Sequence, residues 1–555
     1  MLEAPKMNGI KGLDADTLRE MTQKSLRTIS NWCAENGLTL STLKTHSVMF
    51  TWRRKWEFSK PLKVKNTEIE MKSSTKFLGV TLDSKLSWNE HIENKCKKAK
   101  GILMQCRRAI GPTWGFTPKT MKWIYTAVVR PSLTYASTIW LNGLYKKHNL
   151  TLLNGVQRLG NILITGALPS TSGIALDIIT GTIPIDLMIE EEAAKGALRL
   201  QSNQHWINEP MINQKGNLTS HTKLNKILLN DTPLAKEEQD QQTTSLNVDV
   251  RFKTEIPNIL EYEEIGNEPD TIQCYTDGSK MNDSVGAGVY IVDNQGPQKE
   301  ESHHLGSNST VFQAETFAVG RAAKILNEAG TAGQRVIINC DSQATILAVN
   351  KTKIKSKSTK MAITELNKLG EDNQVTLRWI PAHKGYAGNE KADSLAKEGS
   401  NGSSSSQVRL PIPKVIWKGA LRSRSHRKMR DRWRTLPSSH FKRVWRDKFA
   451  RSLRKLGKDS LRSATQFLTG HCELNYHINK YKPDKVPKTC PHCCMDEETI
   501  NHFIGQCPKW SLQRGAYFNS FYISVTDVVD EFSLPKIVSY INSTKRFNNY
   551  NRGDK

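Results

Sequence analysis

Four things are scarce in this 555-residue sequence, and each scarcity removes a class of protein. No run of about 18 uninterrupted apolar residues occurs, which argues against a hydrophobic membrane span. No charged-then-apolar stretch opens the chain, so no secretory leader is read there. Acidic residues are outnumbered: 54 Asp and Glu face 80 Lys and Arg, a formal net charge of +26. Such a surplus attracts polyanions, nucleic acid first among them, and no membrane partner is expected. Cysteines number ten and form no disulfide framework, since Cys490, Cys493, Cys494 and Cys507 cluster while the rest stand singly. A soluble, intracellular protein is expected, and a nuclear address agrees with the Lys/Arg-rich run described below.

The length suits roughly three or four domains. Residues 1–205 mix short β-like runs such as FLGVTL with helical stretches, including the basic segment from His91 to Arg108. Between Glu237 and Asp270 ten acidic residues meet only Arg251 and Lys253, with little periodicity, so residues 206–268 read as a linker. Three β-rich segments follow (TIQCYTD, VGAGVYIV, KEESHHLG), then a helix from about Val311 to Ala329 opened by a capping box at Thr310 and Gln313. RVIINCD and VTLRWIPAH read as strands, and GNEKADSLAKEG as a closing helix. This order predicts an α/β domain over 269–400, a mixed sheet flanked by helices. Residues 401–413, entered through GSNGSSSSQ, read as a flexible linker.

Asp277 and Asp341 each end a strand candidate, Glu315 lies one turn into the intervening helix, and Asp393 lies in the closing helix. Parallel neighbouring strands would bring the two aspartates together at their carboxyl ends. Carboxylates crowded this way repel and partly protonate unless a cation sits among them, and Mg²⁺ (or Mn²⁺), a hard oxygen-seeking ion, suits such a pocket. YTDGSK, QAETFAV, INCDSQATILAV and WIPAHKGYAGNEKADSLA together resemble the signature segments of type 1 ribonuclease H domains. The resemblance implies a five-stranded mixed sheet and metal-dependent hydrolysis of the RNA strand in RNA–DNA hybrids. It also implies Asp277, Glu315, Asp341 and Asp393 as metal ligands, Glu315 near the 2′-OH, His383 as a mobile-loop proton carrier, and Gly278 and Ser279 presenting backbone groups to RNA. Thr316 replaces the leucine usual after the helix glutamate.

NWCAENGLTLSTLKTHSVMFT with KFLGVTLDSKLSWNEHI resembles the late palm and thumb of LINE-type (non-LTR, jockey-like) retrotransposon reverse transcriptases, and QRLGNILITGALPSTSGIALDIITGTIPIDLMIEEEAAKGALRL (157–200) resembles the connection that leads to ribonuclease H in the jockey-like group. That family carries a Tyr/Phe-x-Asp-Asp hairpin ahead of this region. None is present, and Asp14 and Asp16 read as helix-start residues, so residues 1–205 are expected to be a truncated remnant without polymerase activity. Lys95, Lys97, Lys98 and Lys100 would either grip a duplex or line a solvated helix face.

Residues 414–555 are expected to form a basic, mainly helical nucleic-acid-binding tail. From Lys414 to Lys458 there are 17 Lys or Arg, among them Arg422, Arg424, Arg427, Lys428 and Arg430, against Asp431 and Asp447 alone. Trp417, Trp433, Phe441, Trp445 and Phe449 are interleaved, either to stack on bases or to form core. Farther on, Cys490, Cys493, His502 and Cys507 have the spacing of a structural Zn²⁺ site, with His492 or Cys494 as alternative ligands. The sequence therefore supports two readings: an RNA–DNA hybrid endoribonuclease, or a noncatalytic nucleic-acid-binding relic of the same lineage.

Overall fold

The computed structural model describes residues 10–11, 14–51, 58–111, 114–205, 220–232, 234, 237–241, 246–257, 270–293, 296–382, 384–402 and 406–548. The chain divides into two compact units, Met1–Ala193 with Ser425–Lys555, and Ala194–Arg424.

In the first unit, Asp14 caps helix α1 (Ala15–Glu35), accepting from the Thr17 amide at 2.8 Å, so it serves the helix start read from the sequence. FLGVTL forms a hairpin of β1 (Ser74–Phe77) and β2 (Val80–Asp83). Helix α2 (Asn89–Arg108) buries Ile92, Cys96, Ala99 and Leu103 on one face, which turns Lys97 and Lys98 outward. It packs on α3 (Lys147–Thr165), which in turn meets α4 (Gly173–Thr180). On α4, Asp177 is buried and accepts from Gln157 at 2.6 Å and Asn161 at 2.7 Å; burial nevertheless pushes its carboxyl up to about 6.

The second unit is built on one seven-stranded sheet. Its strands are β3 (Lys253–Glu255), β4 (Thr271–Met281), β5 (Ser284–Asp293), β6 (Gly296–Gly306), β7 (Arg335–Cys340), β8 (Gln374–Trp379) and β9 (Ser406–Gln407). The order is β9-β6-β5-β4-β7-β8-β3. β4, β5 and β6 are antiparallel, whereas β4, β7, β8 and β3 run parallel. Five central strands match the expectation, and the two edges correct it. β3 comes from the stretch read as a linker, and β9 from the stretch read as a flexible tether. Both are anchored beyond the sheet: Asp240 accepts from the Ser358 amide at 2.8 Å and from Ser356 Oγ, and Gln313 Nε2 donates to the Pro411 carbonyl at 2.9 Å. Leu410 and Ile412 are buried, so residues 406–413 are structured because their apolar side chains have a surface to cover.

Helix α5 (Val311–Glu328) opens with the capping box expected at Thr310 and Gln313. It packs on β4 and β5 and against α7 (Lys357–Asp372), with the short α6 (Gln343–Val349) beside it. Helix α8 (Ala387–Ser400) packs on β4, β5 and β6. Helix α9 (Lys414–Arg434) crosses the division between the units.

The remaining residues return to the first unit with α10 (Lys458–Thr469), α11 (Ser511–Phe518) and α12 (Leu534–Thr544). Phe441, Phe449, Phe467, Phe503 and Tyr540 share one buried cluster with Ala175 and Ile179 of α4. The stretch expected to be a separate tail thus shares a core with the N-terminal part from residue 425 onward. No helix among the described residues is long and apolar enough to cross a membrane.

Candidate active site and metal centre

The register of the parallel pair builds the centre of the site. Thr276 on β4 pairs with Cys340 on β7, so the next residues along, Asp277 and Asp341, stand side by side. Asp277 lies inside β4, which corrects the expectation that it ends its strand. β4 continues to Met281 and turns at Asn282 and Asp283, both of positive φ.

Two close helix approaches deliver the other acids. A Cβ on Gly278 would lie 2.7 Å from the Glu315 amide nitrogen and 2.9 Å from its Cγ, so glycine there lets α5 bring Glu315 against β4. On β5, a Cβ on Gly288 would meet the Ala392 carbonyl of α8 at 2.1 Å, so glycine there lets the turn carrying Asp393 approach the strand. Asp393 accepts from Lys397 Nζ at 2.6 Å.

Charge crowding is visible in the acids themselves. Burial, then the charge of Asp341 and the proximity of Asp393, push Asp277 up to about 7, against the Gly278 amide, which favours the anion. Glu315 is also raised, first by burial and also by Asp341, although Thr345 Oγ1 at 3.1 Å and the Ser342 hydroxyl donate to it. No three of the four carboxylates offer oxygens mutually within 4.8 Å among the described residues, so they do not converge on one point. An all-oxygen donor set in which burial and a neighbouring carboxylate charge raise Asp277 and Glu315 fits hard divalent cations. Ser279 continues β4 beside Gly278, both half-buried, and His383 lies outside the described residues.

Thr316 keeps its hydroxyl satisfied by donating to the Phe312 carbonyl at 2.7 Å, which explains how a polar residue stands in a leucine position. Sequence reasoning missed Ser342, Thr345 and Lys397. Lys397 was legible, four residues after Asp393 on one helix face.

Cys490, Cys493, His502 and Cys507 bring one ligand atom each within 4.8 Å of all the others. Cys493 Sγ lies 3.3 Å from His502 Nε2, and Cys490 Sγ lies 3.9 Å from Cys507 Sγ. Burial pushes the Cys507 thiol up to about 12 and keeps His502 below its ordinary value, hence neutral and able to ligate. The soft donors fit Zn²⁺. Cys494 is exposed, and the His492 ring lies against Trp510.

The basic residues separate into two groups. Arg422, Arg427 and Arg430 are exposed and Lys428 is half-buried. Arg424 is 2% exposed and bonds Asp231 through Nε and Nη2, both at 2.8 Å, so it is a structural cation, which corrects its assignment to nucleic acid. Of the two alternatives for the interleaved rings, the structure takes core: Trp417, Phe441 and Phe449 are buried, and Trp433 and Trp445 pack against the core. Helical spacing placed them inward, away from any base.

Residues 269–401 match the family model described as RNase H. A 115 kDa protein of the Drosophila melanogaster retrotransposable element R1DM is 23% identical over 190 residues, 34% of this chain and 18% of that protein. A Pol polyprotein of an R1 element of Nasonia vitripennis is 31% identical over 133 residues, 24% of this chain and 33% of the relative. The ribonuclease H of Campylobacter jejuni is 28% identical over 135 residues, 23% of this chain and 89% of the enzyme. A solved structure of LC11-RNase H1 with an RNA/DNA hybrid is 25% identical, covering 24% of this chain and 98% of that one, at a TM-score of 0.21. The matches span 18% and 33% of the two retrotransposon relatives named. Residues 269–401 are therefore an RNase H domain, carried in a chain related to the polyproteins of R1-type retrotransposons.

Proposed function

We propose that the chain hydrolyses the RNA strand of RNA–DNA hybrids at Asp277, Glu315, Asp341 and Asp393. The observation that carries this is that Asp277 and Asp341 follow the last paired residues of a parallel strand pair, Thr276 and Cys340, and that the charge of Asp341 adds to burial in raising the proton affinity of Asp277. Held by these four residues, Mg²⁺ or Mn²⁺ would neutralise the crowded charge and supply Lewis acidity toward a phosphodiester.

The protein's own groups do the rest. Glu315 is oriented by Ser342 and Thr345, and its second role is to meet the ribose 2′-OH. The backbone of Gly278 and Ser279 lines the approach to the RNA strand. Lys397 holds Asp393 in place. His383 carries a proton to or from the cleaved linkage. Zn²⁺ at the thiol–imidazole set has a structural role, because all four protein positions are filled. We assign no DNA synthesis to these residues, since residues 1–205 contain no paired-aspartate hairpin.

The test is cleavage of an end-labelled hybrid by the full chain in Mg²⁺ and in Mn²⁺. The reading expects internal cuts in RNA only, and Asp341→Asn is expected to lose them. An uncut hybrid in both metals, or an Asp341→Asn protein as active as its parent, overturns the assignment. The second reading, binding without catalysis, is favoured by the exposed Arg422, Arg427 and Arg430. It expects salt-sensitive hybrid binding that survives loss of both Asp277 and Asp341, with no cleavage by the parent.

A further inference from the structure

Arg514 on α11 is fully buried, with 0% of its surface exposed. Its Nε donates to the Phe521 carbonyl at 2.8 Å and its Nη2 to the Cys507 carbonyl at 2.7 Å. Nη1 is buried with no hydrogen-bond partner. No carboxylate lies within 4.0 Å of the guanidinium among the described residues. A guanidinium stays charged at any ordinary pH, so a full positive charge stands in the core with two carbonyl dipoles, the Tyr522 ring at 5.9 Å and the neighbouring Tyr540 side chain to offset it, and no anion. Such an arrangement is costly unless a negative charge is near.

The ligand set beside it supplies that charge once a metal is bound. Three thiolates and one neutral imidazole around a dication leave a net charge of minus one. Cys490, Cys507 and His502 are themselves buried, so that charge is not screened by water. The guanidinium is bonded to the backbone of a ligand, and its charge acts on the His502 imidazole. One surplus positive charge and one surplus negative charge thus occupy the same dry region, and together they are neutral.

We propose that Arg514 is the built-in counter-charge of a dication held by Cys490, Cys493, His502 and Cys507. The inference is independent of the hybrid-cleavage reading, because its readout is metal affinity.

The experiment uses the full chain, stripped and reloaded with Zn²⁺ in competition with a chromophoric chelator, and with Co²⁺ to count thiolates from the sulfur-to-metal absorption. The parent should bind Zn²⁺ and show three thiolates. Arg514→Gln should weaken Zn²⁺ roughly 10- to 100-fold, the range usual for outer partners of a metal site. Arg514→Lys, which keeps the charge but not the planar fork, should recover most of that loss. In a Cys493→His background, where two thiolates already balance the dication, adding Arg514→Gln should change affinity by less than about threefold.

Equal losses for the Gln and Lys variants, the same Arg514→Gln penalty in both backgrounds, or a parent that binds no Zn²⁺ would each overturn the proposal. Should Arg514→Gln fail to fold even with zinc, Arg514→Lys decides alone. Retained affinity supports a charge role, and a loss as deep as that of Cys493→Ala overturns it.

Discussion

The carboxylates of the second unit are gathered from residues 277, 315, 341 and 393 on separate elements, whereas the thiol–imidazole set of the first unit comes from residues 490 to 507. The acids are placed by a sheet that has its own reasons to form, and no three of them converge to 4.8 Å, while the soft donors lie that close as a complete set. In the first case the scaffold holds like charges together against their repulsion. In the second, short turns and loops converge on a point that a metal would tie. A site for chemistry is therefore expected to cost its unit stability, and a site for structure to supply it.

The sharpest way to break this contrast is to disable each centre and measure both properties. Asp341→Asn is expected to lower hybrid cleavage roughly 100-fold or more, as removal of one charge-stabilising group commonly does, without lowering the melting temperature of the RNase H unit. Cys490→Ser or zinc removal is expected to destabilise the first unit while leaving the four acids assembled. A fall in stability with Asp341→Asn, read by thermal melting in chelator, would contradict the contrast directly.

A pH titration sharpens it further. Folded Asp277 keeps its proton up to about pH 7, against an ordinary value of 3.8. Between these values the folded state binds more protons than the unfolded chain, so stability falls as pH rises through that window and is flat above it. Melting in chelator should show this fall, Asp277→Asn should flatten it, and Mg²⁺ should reverse it. Gly278→Ala is expected to cost about 1–3 kcal/mol by overpacking against Glu315, measurable by urea denaturation, with cleavage reduced as well.

The smallest effects separate the two kinds of arginine. Arg424→Ala should lose about 1–3 kcal/mol of stability through its bonds to Asp231. Arg422→Ala and Arg427→Ala should leave stability nearly unchanged and reduce the salt dependence of hybrid binding, seen as a shallower slope in a filter-binding series.

Much of this was legible beforehand because local rules and tertiary outcome agree. The Thr310–Gln313 capping box starts its helix, the strand and helix order of 271–398 is realised, and Asp277 and Asp341 follow paired residues of neighbouring parallel strands. The parts that were not legible have physical reasons. Strands of two or three residues, such as β3 and β9, carry no periodicity to detect, and their pairing depends on an edge that only the folded sheet provides. GSK after Asp277 has the composition of a turn, yet antiparallel pairing with β5 extends the strand through it. In α9 basic residues recur so often that charge alone could not single out Arg424, whose burial follows from Asp231, far away in sequence.

The short strands flanking the RNase H sheet bear on how this domain is handled. A fragment cut at the family-match borders, 269 and 401, would leave the outer backbone of β6 and β8 bare and remove the Asp240 and Pro411 anchors. Such unpaired rims invite intermolecular strand addition, so the excised piece is expected to self-associate where a version spanning 237–413 stays dispersed.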